Sequence, residues 1–170
     1  SELAQIATAI KAYHAAKGHY PPDNPNYNPV MNALYFELVG TTNTANGQDY
    51  GTLDGRYSIS TNLVGSAFGL GGLANSAKSA RASDDSVAPI NFLPGLKSDQ
   101  VEDVLGVKVL VCSEGWTRPG ATTTNAVARW RYTASHATNN PGSYDLWVDL
   151  YIAGKTNRIS NWSKEYEIVN

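Results

Sequence analysis

Ser1–Lys17 reads SELAQIATAIKAYHAAK and is followed directly by Gly18-His19-Tyr20-Pro21-Pro22. The apolar side chains of this stretch recur at three- and four-residue steps, the spacing of one face of an α-helix. They are Leu3, Ile6, Ile10 and Tyr13, with Ala7 beside them. Glycine favours the left-handed conformation in which helices end, and proline cannot continue a helix. The stretch therefore predicts an amphipathic helix over residues 1–17 that ends at Gly18.

The face opposite the apolar stripe is small and nearly uncharged, and it is formed by Gln5, Thr8, Lys11, Ala12, Ala15 and Ala16. Such a face can lie against water, but small side chains also allow a second helix to pack closely. No residue upstream of the first turn caps the helix or packs against its start. We expect residues 1–17 to be the lower half of a longer helix.

A second helix is predicted for residues 28–39. Asn28 is a good cap, Pro29 suits a first helical turn, and Gly40 provides an end. The apolar residues between them recur at helical spacing and should pack on the first helix; they are Val30, Met31, Leu34, Tyr35, Leu38 and Val39.

Residues 40–126 are predicted to be a loop-rich region with few regular elements. Tyr57–Ser60 alternates like a half-buried edge strand. Residues 65–72 are rich in glycine but lack the Lys-Ser/Thr of a phosphate-binding loop, which indicates a flexible turn. Residues 75–85 are small and polar, as in a loop or a frayed helix.

The last part of this region contains three further predicted elements. Residues 91–95 indicate a turn. Ser98 or Asp99 is expected to cap a short helix that runs through Val101, Val104 and Leu105 and ends at Gly106. Residues 107–112 form an apolar run typical of a buried strand, with Cys112 as an inert buried thiol.

Residues 127–163 predict a three-stranded antiparallel meander. Its strands are expected over 127–132, 144–152 and 156–162, because alternating residues are joined by short turns. One face should cover the first helix, since an isolated hairpin is not stable. Trp147 and Tyr151 fall on the other face, which we expect the middle region to cover in part. The fold class is therefore α+β: a single domain over 1–170, with a long helix on a small antiparallel sheet.

Composition limits the functions of the chain. The net charge is −2, so there is no electrostatic argument for binding nucleic acid or an anionic membrane. Charged residues make up only 16% of the chain, which is typical of an exported, loop-rich protein rather than a cytosolic enzyme. The single cysteine cannot form an internal disulfide, and no stretch approaches the ~20 apolar residues of a membrane span.

Two motifs at opposite ends of the chain resemble a known family. The first helix ends in Gly18-His19-Tyr20-Pro21. Near the other end, Tyr144-Asp145-Leu146 lies in a strand, Gly154 in a turn, and Asn161-Trp162 at the end of the next strand. In this order they resemble the soluble domain of a type IV pilin-like protein, most closely the major pseudopilin of type II secretion. The resemblance covers roughly residues 3–39 and 127–163, and the region between them has no counterpart.

The resemblance implies that the chain is a structural subunit of a pilus-like filament acting in protein export. Its partners would be other pilin-like subunits and inner-membrane components of the secretion system. It would be periplasmic or at the cell surface, and a hydrophobic helix preceding this sequence would anchor it in the inner membrane.

Enzymatic motifs are lacking, and we predict that the protein is not an enzyme. Its histidines, His14, His19 and His136, show no zinc-ligand spacing. Ser135, His136 and Asp145 could be drawn as a Ser–His–Asp set, but no nucleophile elbow supports it. We predict no catalytic residues and no cofactor.

Calcium binding is the one property of the resembled family that we do not transfer. The resemblance implies a calcium site in the loop after the Tyr-Asp-Leu strand, built from carboxylates. Here that loop is only residues 153–158, and Lys155 and Arg158 bring positive charge. Calcium requires six to eight oxygen ligands, and Asp149 with Asn157 supplies too few. We therefore predict no metal site.

An exported ligand- or carbohydrate-binding module is the alternative function, because four tryptophans and ten tyrosines suit sugar stacking. The positions of Trp116, Trp130, Trp147 and Trp162 distinguish the two: core positions favour a scaffold, and an exposed aromatic row favours binding. An enzyme would need a deep polar pocket in which a histidine and a carboxylate are in contact.

Overall fold

The computed structural model describes residues 1–78, 88–113 and 128–169. Within them are three α-helices and ten strands. The helices are α1 (Glu2–Lys17), α2 (Leu34–Val39) and α3 (Thr61–Phe68). The strands are β1 (Thr41–Asn43), β2 (Asp49–Thr52), β3 (Ser58–Ser60), β4 (Ser76–Lys78), β5 (Val101–Val104), β6 (Val107–Leu110), β7 (Arg131–Thr133), β8 (Asp145–Ile152), β9 (Lys155–Ser160) and β10 (Glu167–Val169).

The predicted first helix and its buried stripe are confirmed. Ile6, Ile10 and Tyr13 are fully buried, together with Ala9, while Leu3 packs partly buried against the same core. Ser1 caps the first turn, because its hydroxyl accepts a hydrogen bond from the Ala4 N–H at 3.2 Å. The sequence analysis did not predict that a residue of this chain caps the start of α1. Gly18 ends the helix at φ 80°, and its N–H donates to the His14 carbonyl.

The predicted antiparallel meander is present, and a fourth strand extends it to a sheet in the order β10-β9-β8-β7. Its first strand is Arg131–Thr133 rather than the predicted 127–132, and its third is Lys155–Ser160 rather than 156–162. Its inner face carries Leu146, Val148 and Leu150, all buried as the alternation predicted, and Trp147 on the outer face is half-buried. Trp162, at 5.6 Å between ring centroids, and Arg158 pack against Trp147. Strand β10 was not predicted, because three residues after a polar turn give too short an alternation to recognise.

The helix predicted from Ser98 or Asp99 to Gly106 is wrong. Ser98–Gln100 forms one 3-10 turn, and the chain then enters the antiparallel hairpin β5–β6. Leu105 and Gly106 connect the strands with φ 53° and φ 86°, and two positive values are the mark of a tight hairpin turn. Val101 and Val104 are buried on strand β5 rather than on a helix face, because β-branched residues prefer a pleated surface.

The second helix is shorter than predicted, spanning 34–39 instead of 28–39. Asn32 explains the difference. Its side-chain oxygen accepts the Leu34 N–H, and its amide nitrogen donates to the carbonyls of Pro29 and Trp130. Asparagine that bonds nearby backbone in this way competes with helix formation, so the helix begins only after it.

A second sheet, in the order β3-β2-β1-β4, is built from the predicted loop-rich region. The strand predicted at Tyr57–Ser60 is present as the edge strand β3. The flexible turn predicted for residues 65–72 is partly wrong, because α3 extends to Phe68 under a Ser60 cap. Of the predicted loop at 75–85, residues 76–78 form β4 and residues 79–85 lie outside the described part.

The buried apolar residues form one cluster that α1, α2, α3 and strands from all three sheets share. Trp130, Tyr13, Tyr35 and Tyr132 are the largest fully buried side chains in it. Cys112 is buried, as predicted. Across the described ranges, no helix has the length and apolar character needed to cross a membrane.

Truncating Ile10 tests the packing of α1. Its side chain is fully buried, so Ile10→Ala should lower the free energy of unfolding by about 2–4 kcal/mol. Urea denaturation monitored by circular dichroism measures the change, and Lys11→Ala on the exposed side of the same turn is the control. A loss no larger than that of the control would contradict the assigned face.

Candidate assembly surface

Polar contacts as well as the core hold α1 in place. The Tyr13 hydroxyl donates to the Glu37 carboxylate of α2 at 2.6 Å. The Gln100 amide donates to Gln5 at 2.9 Å, so Gln5, which the sequence assigned to the face opposite the apolar stripe, is partly buried. The Glu2 carboxylate, near the start of the helix, accepts hydrogen bonds from both the N–H and the hydroxyl of Ser113. These contacts fix which face of α1 remains outside.

Glu37 is the polar centre of this arrangement, and the sequence pattern did not single it out. Besides Tyr13, its carboxylate accepts the backbone N–H groups of Ala74 and Asn75 at 2.6 and 3.1 Å. Burial raises the pKa of Glu37, and the three hydrogen bonds oppose the rise without cancelling it. The available signal was one carboxylate inside the apolar run Leu34–Val39, where an acidic residue needs partners.

The Gly18–Pro21 motif joins the end of α1 to the meander. The Tyr132 hydroxyl on β7 donates to the Pro21 carbonyl at 2.7 Å. The Tyr20 ring lies 5.4 Å from the Tyr144 ring between centroids, and it also stacks on His14. The helix end is therefore anchored to the sheet by one buried hydrogen bond and a row of aromatic contacts.

In the C-terminal motif, Asn161 contacts the Tyr144-Asp145-Leu146 segment. Asn161 accepts the Leu146 N–H and donates to the Tyr144 carbonyl, each at 3.0 Å, so it secures the start of β8. Asp145 is 2% exposed and accepts the backbone N–H groups of three consecutive residues, Thr138, Asn139 and Asn140. Asp145 thus fixes the loop before β8 to the strand, and Asn161 fixes the start of β8 to the end of β9.

The small face of α1 is exposed along its length, at Thr8, Ala12, Ala15 and Ala16. One groove of about 420 Å³ runs between this helix and Tyr20, Ser143 and Tyr144. A second groove of about 480 Å³ separates the helix from residues 92–95 on its other side. Thr8 lines both grooves, so α1 stands as a ridge between them. We call this ridge and its two grooves the assembly surface.

The Ser–His–Asp set drawn from the sequence is not assembled. The hydrogen bonds of Asp145 go to the loop over residues 138–140, whereas the Ser135 hydroxyl donates to Asp23 at 2.7 Å. That hydroxyl has one hydrogen, and an ionised carboxylate can only accept, so in the 2.8 Å contact the His136 ring is the donor. An imidazole that already donates to the serine cannot remove its proton.

Asp23 remains ionised at this position. Burial acts to raise the pKa of Asp23, but hydrogen bonds from the Ser135 and Thr133 hydroxyls and from the backbone N–H groups of Ser135 and Ala134 outweigh burial and lower it. Thr133 is the last residue of β7, and Ala134 and Ser135 follow it directly. Asp23 thus fixes the segment after the Gly18–Pro21 motif to the sheet, which is a structural role.

Asp149 is the carboxylate nearest the turn that was compared with a calcium loop, and it is already paired with two arginines. Asp149 accepts one hydrogen bond from Arg131 at 2.6 Å and two from Arg158 at 2.7 and 3.0 Å. Two guanidinium groups beside one carboxylate give a local excess of positive charge, which repels a divalent cation. Within the described ranges, no cluster of three or more His, Cys, Asp or Glu residues has the geometry of a metal site.

We predict no saturable calcium binding by the wild-type protein below about 1 mM, the weak end of extracellular sites. Isothermal titration calorimetry with CaCl₂ measures it. Asp149→Ala is the matched variant, and both proteins should give the heat of dilution only. Micromolar binding that Asp149→Ala abolishes would overturn the prediction.

The tryptophans separate the two functions considered from the sequence. Trp130 is 1% exposed in the core. Trp147 and Trp162 are half-buried and pack against each other edge to face. These three do not form an exposed row, which weighs against sugar stacking. Trp116 lies outside the described residues.

Comparisons of the chain with known protein families, with curated proteins and with solved structures returned no match.

Proposed function

We propose that this chain is a pilin-like structural subunit that assembles into a filament, in the manner of a type II secretion pseudopilin. The assembly surface of α1 would contact neighbouring copies. An apolar helix encoded before residue 1 would anchor the subunit in the inner membrane before assembly. The observation that carries the proposal is an amphipathic helix whose buried face is locked into the domain while its small face is exposed between two grooves.

The chemistry of the assembly surface supports helix packing rather than catalysis. Small side chains at Thr8, Ala12 and Ala16 let another backbone approach closely, and grooves on both sides can receive the side chains that flank a neighbouring helix. The charged groups on this part of the helix are few, so little desolvation opposes the contact. The two motifs that prompted the proposal hold the helix end and the sheet in fixed register.

The chain from Ser1 to Asn170 should be monomeric at modest concentration. A stable protein–protein interface generally buries more than ~1,000 Å², and one exposed helix face offers less. Adding the apolar helix should supply the missing area, because it extends the same ridge. Sedimentation equilibrium of residues 1–170 tests the first statement.

Cysteine cross-linking of the full-length protein in cells tests the assembly surface. Single cysteines at Thr8 or at Ala16, in a Cys112→Ala background, should each give a disulfide-linked dimer, and the Thr8→Cys/Ala16→Cys double variant should give a ladder of oligomers. Both products should require processing of the leader. Asn62→Cys is the matched control, because Asn62 is also exposed on a helix but lies on α3, away from the assembly surface. The control should remain monomeric under the same oxidant.

Three results would refute the filament proposal. These are a gene that encodes no apolar segment before residue 1, equal cross-linking by Asn62→Cys and Thr8→Cys, or a tight dimer of this chain formed through its sheet. A dimer formed through the sheet would also favour the alternative function, an exported binding module.

A further inference from the structure

The turn between β1 and β2 carries the only Asn-Gly pair in the chain, Asn46-Gly47. Residues 44–48 are all exposed, so none of the side chains of this turn is anchored in the core. The strands below the turn are fixed, because Asn43 pairs with Tyr50 at the end of the β1–β2 ladder. Asn46 therefore lies on an exposed turn above a fixed pair of strands.

Hydrogen bonds within the turn hold Asn46 and Gly47 in place. The Asn46 side-chain oxygen accepts from the Thr44 hydroxyl at 2.7 Å and from the Gln48 N–H at 3.1 Å. The Gly47 N–H donates to the Thr44 carbonyl at 2.9 Å. Because every residue that makes these bonds is exposed, they can break in a local opening that leaves the rest of the domain folded.

An asparagine side chain reacts with the backbone nitrogen of the next residue once that nitrogen is free. Solvent hydroxide removes the N–H proton, and the nitrogen bonds to the side-chain carbonyl carbon. The C–NH₂ bond then breaks, and the leaving group takes a proton from water and departs as ammonia. The product is a five-membered succinimide, which water opens to aspartate or isoaspartate. Glycine lacks the Cβ that hinders this attack at other residues.

We propose that Asn46 is a site of spontaneous deamidation, and that the reaction proceeds from a locally opened turn. In the closed turn, the Gly47 N–H is occupied by the Thr44 carbonyl, which protects the nitrogen from hydroxide. Once the turn opens, the nitrogen is free to attack. The proposal does not depend on the filament function.

Asn75, which precedes a serine, is the contrasting position in the same molecule. It is fully buried, and its side-chain nitrogen donates to the carbonyls of Glu37 and Ile90, each at 2.7 Å. Freeing this side chain requires disruption of the core beside α2 rather than the opening of a surface turn. We therefore expect Asn75 to remain intact while Asn46 reacts.

Deamidation would change the turn in two ways. It adds one negative charge to a chain whose net charge is −2. Isoaspartate also routes the main chain through the former side chain, which lengthens the β1–β2 connection by one methylene group. Thr61 of α3 donates its hydroxyl to the Gly47 carbonyl and its N–H to the Gln48 carbonyl, so the longer turn should loosen this contact as well.

Incubation of residues 1–170 at mildly alkaline pH without denaturant tests the proposal. Peptide mapping by mass spectrometry follows the conversion of each asparagine, and enzymatic methylation of isoaspartate measures that product. Asn46 should be converted at least about tenfold faster than Asn75. Asn46→Gln should abolish the product, because the longer side chain would have to close a six-membered ring.

Two further variants show whether the reactive opening is local. Thr44→Val removes the hydroxyl that donates to Asn46, so the reaction should be about fivefold faster, the factor expected for one hydrogen bond. Ile10→Ala lowers the stability of the whole domain from its position on α1. It should leave the rate at Asn46 unchanged, because the turn opens without unfolding the core.

The proposal is overturned if Asn46 is converted no faster than Asn75, or if Thr44→Val reacts at the wild-type rate. It is also overturned if Ile10→Ala reacts about thirtyfold faster or more, since a reaction that required global unfolding would gain that factor from the lost stability.

Discussion

Glu37→Ala is expected to lower the free energy of unfolding by about 3–5 kcal/mol, which is most of the stability of a marginally stable domain. The reason is the environment of the carboxylate, whose residue is fully buried. It accepts the Tyr13 hydroxyl and the N–H groups of Ala74 and Asn75. Alanine would remove the acceptor of all three donors, two of them buried, and would also leave a cavity.

Urea denaturation at pH 7 measures this loss, with Glu102→Ala as the control. Glu102 lies exposed on strand β5, so its substitution should change stability by less than about 0.5 kcal/mol. Equal losses in the two variants would show that the Glu37 network does not stabilise the fold. Tyr13→Phe should cost less than Glu37→Ala, because it removes one donor and leaves the carboxylate its two backbone partners.

The same residue predicts a dependence on pH. The pKa of Glu37 is raised in the folded state, so folding disfavours its charged form. Its contribution to stability is therefore greatest below the pKa of the unfolded chain and falls as pH rises from there through the raised folded value. Glu37→Gln removes this titration. The stability difference between wild type and Glu37→Gln should shift against the wild type as pH increases from about 4 to 8.

Gly40→Ala is the second large expected effect, at about 3–5 kcal/mol of lost stability. Gly40 follows α2 with φ 81° and ψ 155°, a backbone conformation essentially restricted to glycine. A Cβ there would lie 3.0 Å from the Ile90 carbonyl oxygen and 3.2 Å from the Asn75 amide nitrogen. Asn75 holds both Ile90 and the Glu37 carbonyl, so a shift would break those hydrogen bonds.

Gly47→Ala is the matched control. Gly47 also has a positive φ, 72°, but a Cβ at that position would meet no atom within 4 Å. It should cost only the left-handed backbone penalty of about 1–2 kcal/mol. Comparable losses in the two alanine variants, measured by urea denaturation, would show that the crowding around Gly40 is not what makes it indispensable.

The local sequence pattern alone was enough to predict the elements that form whatever distant segment they pack against. The 3.6-residue spacing from Leu3 to Tyr13 defined α1 and its buried face, and Gly18 before Tyr20-Pro21 defined its end. The alternation at Leu146, Val148 and Leu150 defined β8 with its inner face, because a strand half buried against one core carries a strict period of two. The α+β class followed from those two segments.

The tertiary structure decided the elements in which local signals compete. Val101 and Val104 have the spacing of a helix, yet pairing with β6 across a tight turn makes them a strand, since pairing contributes more than weak propensity. Asn32, whose local hydrogen bonds delay the start of α2, is also held in place by the Trp130 carbonyl, 98 residues away. No local pattern contains such a partner.

The same distinction applies to the candidate sites. The sequence alone identified the small residues of the assembly surface, because a helix period assigns every side chain to a face. It did not reveal that Glu37 has three donors or that Asp149 is held by two arginines. Those facts depend on which distant segments meet, and burial and hydrogen-bond partners exist only once the chain has folded around them.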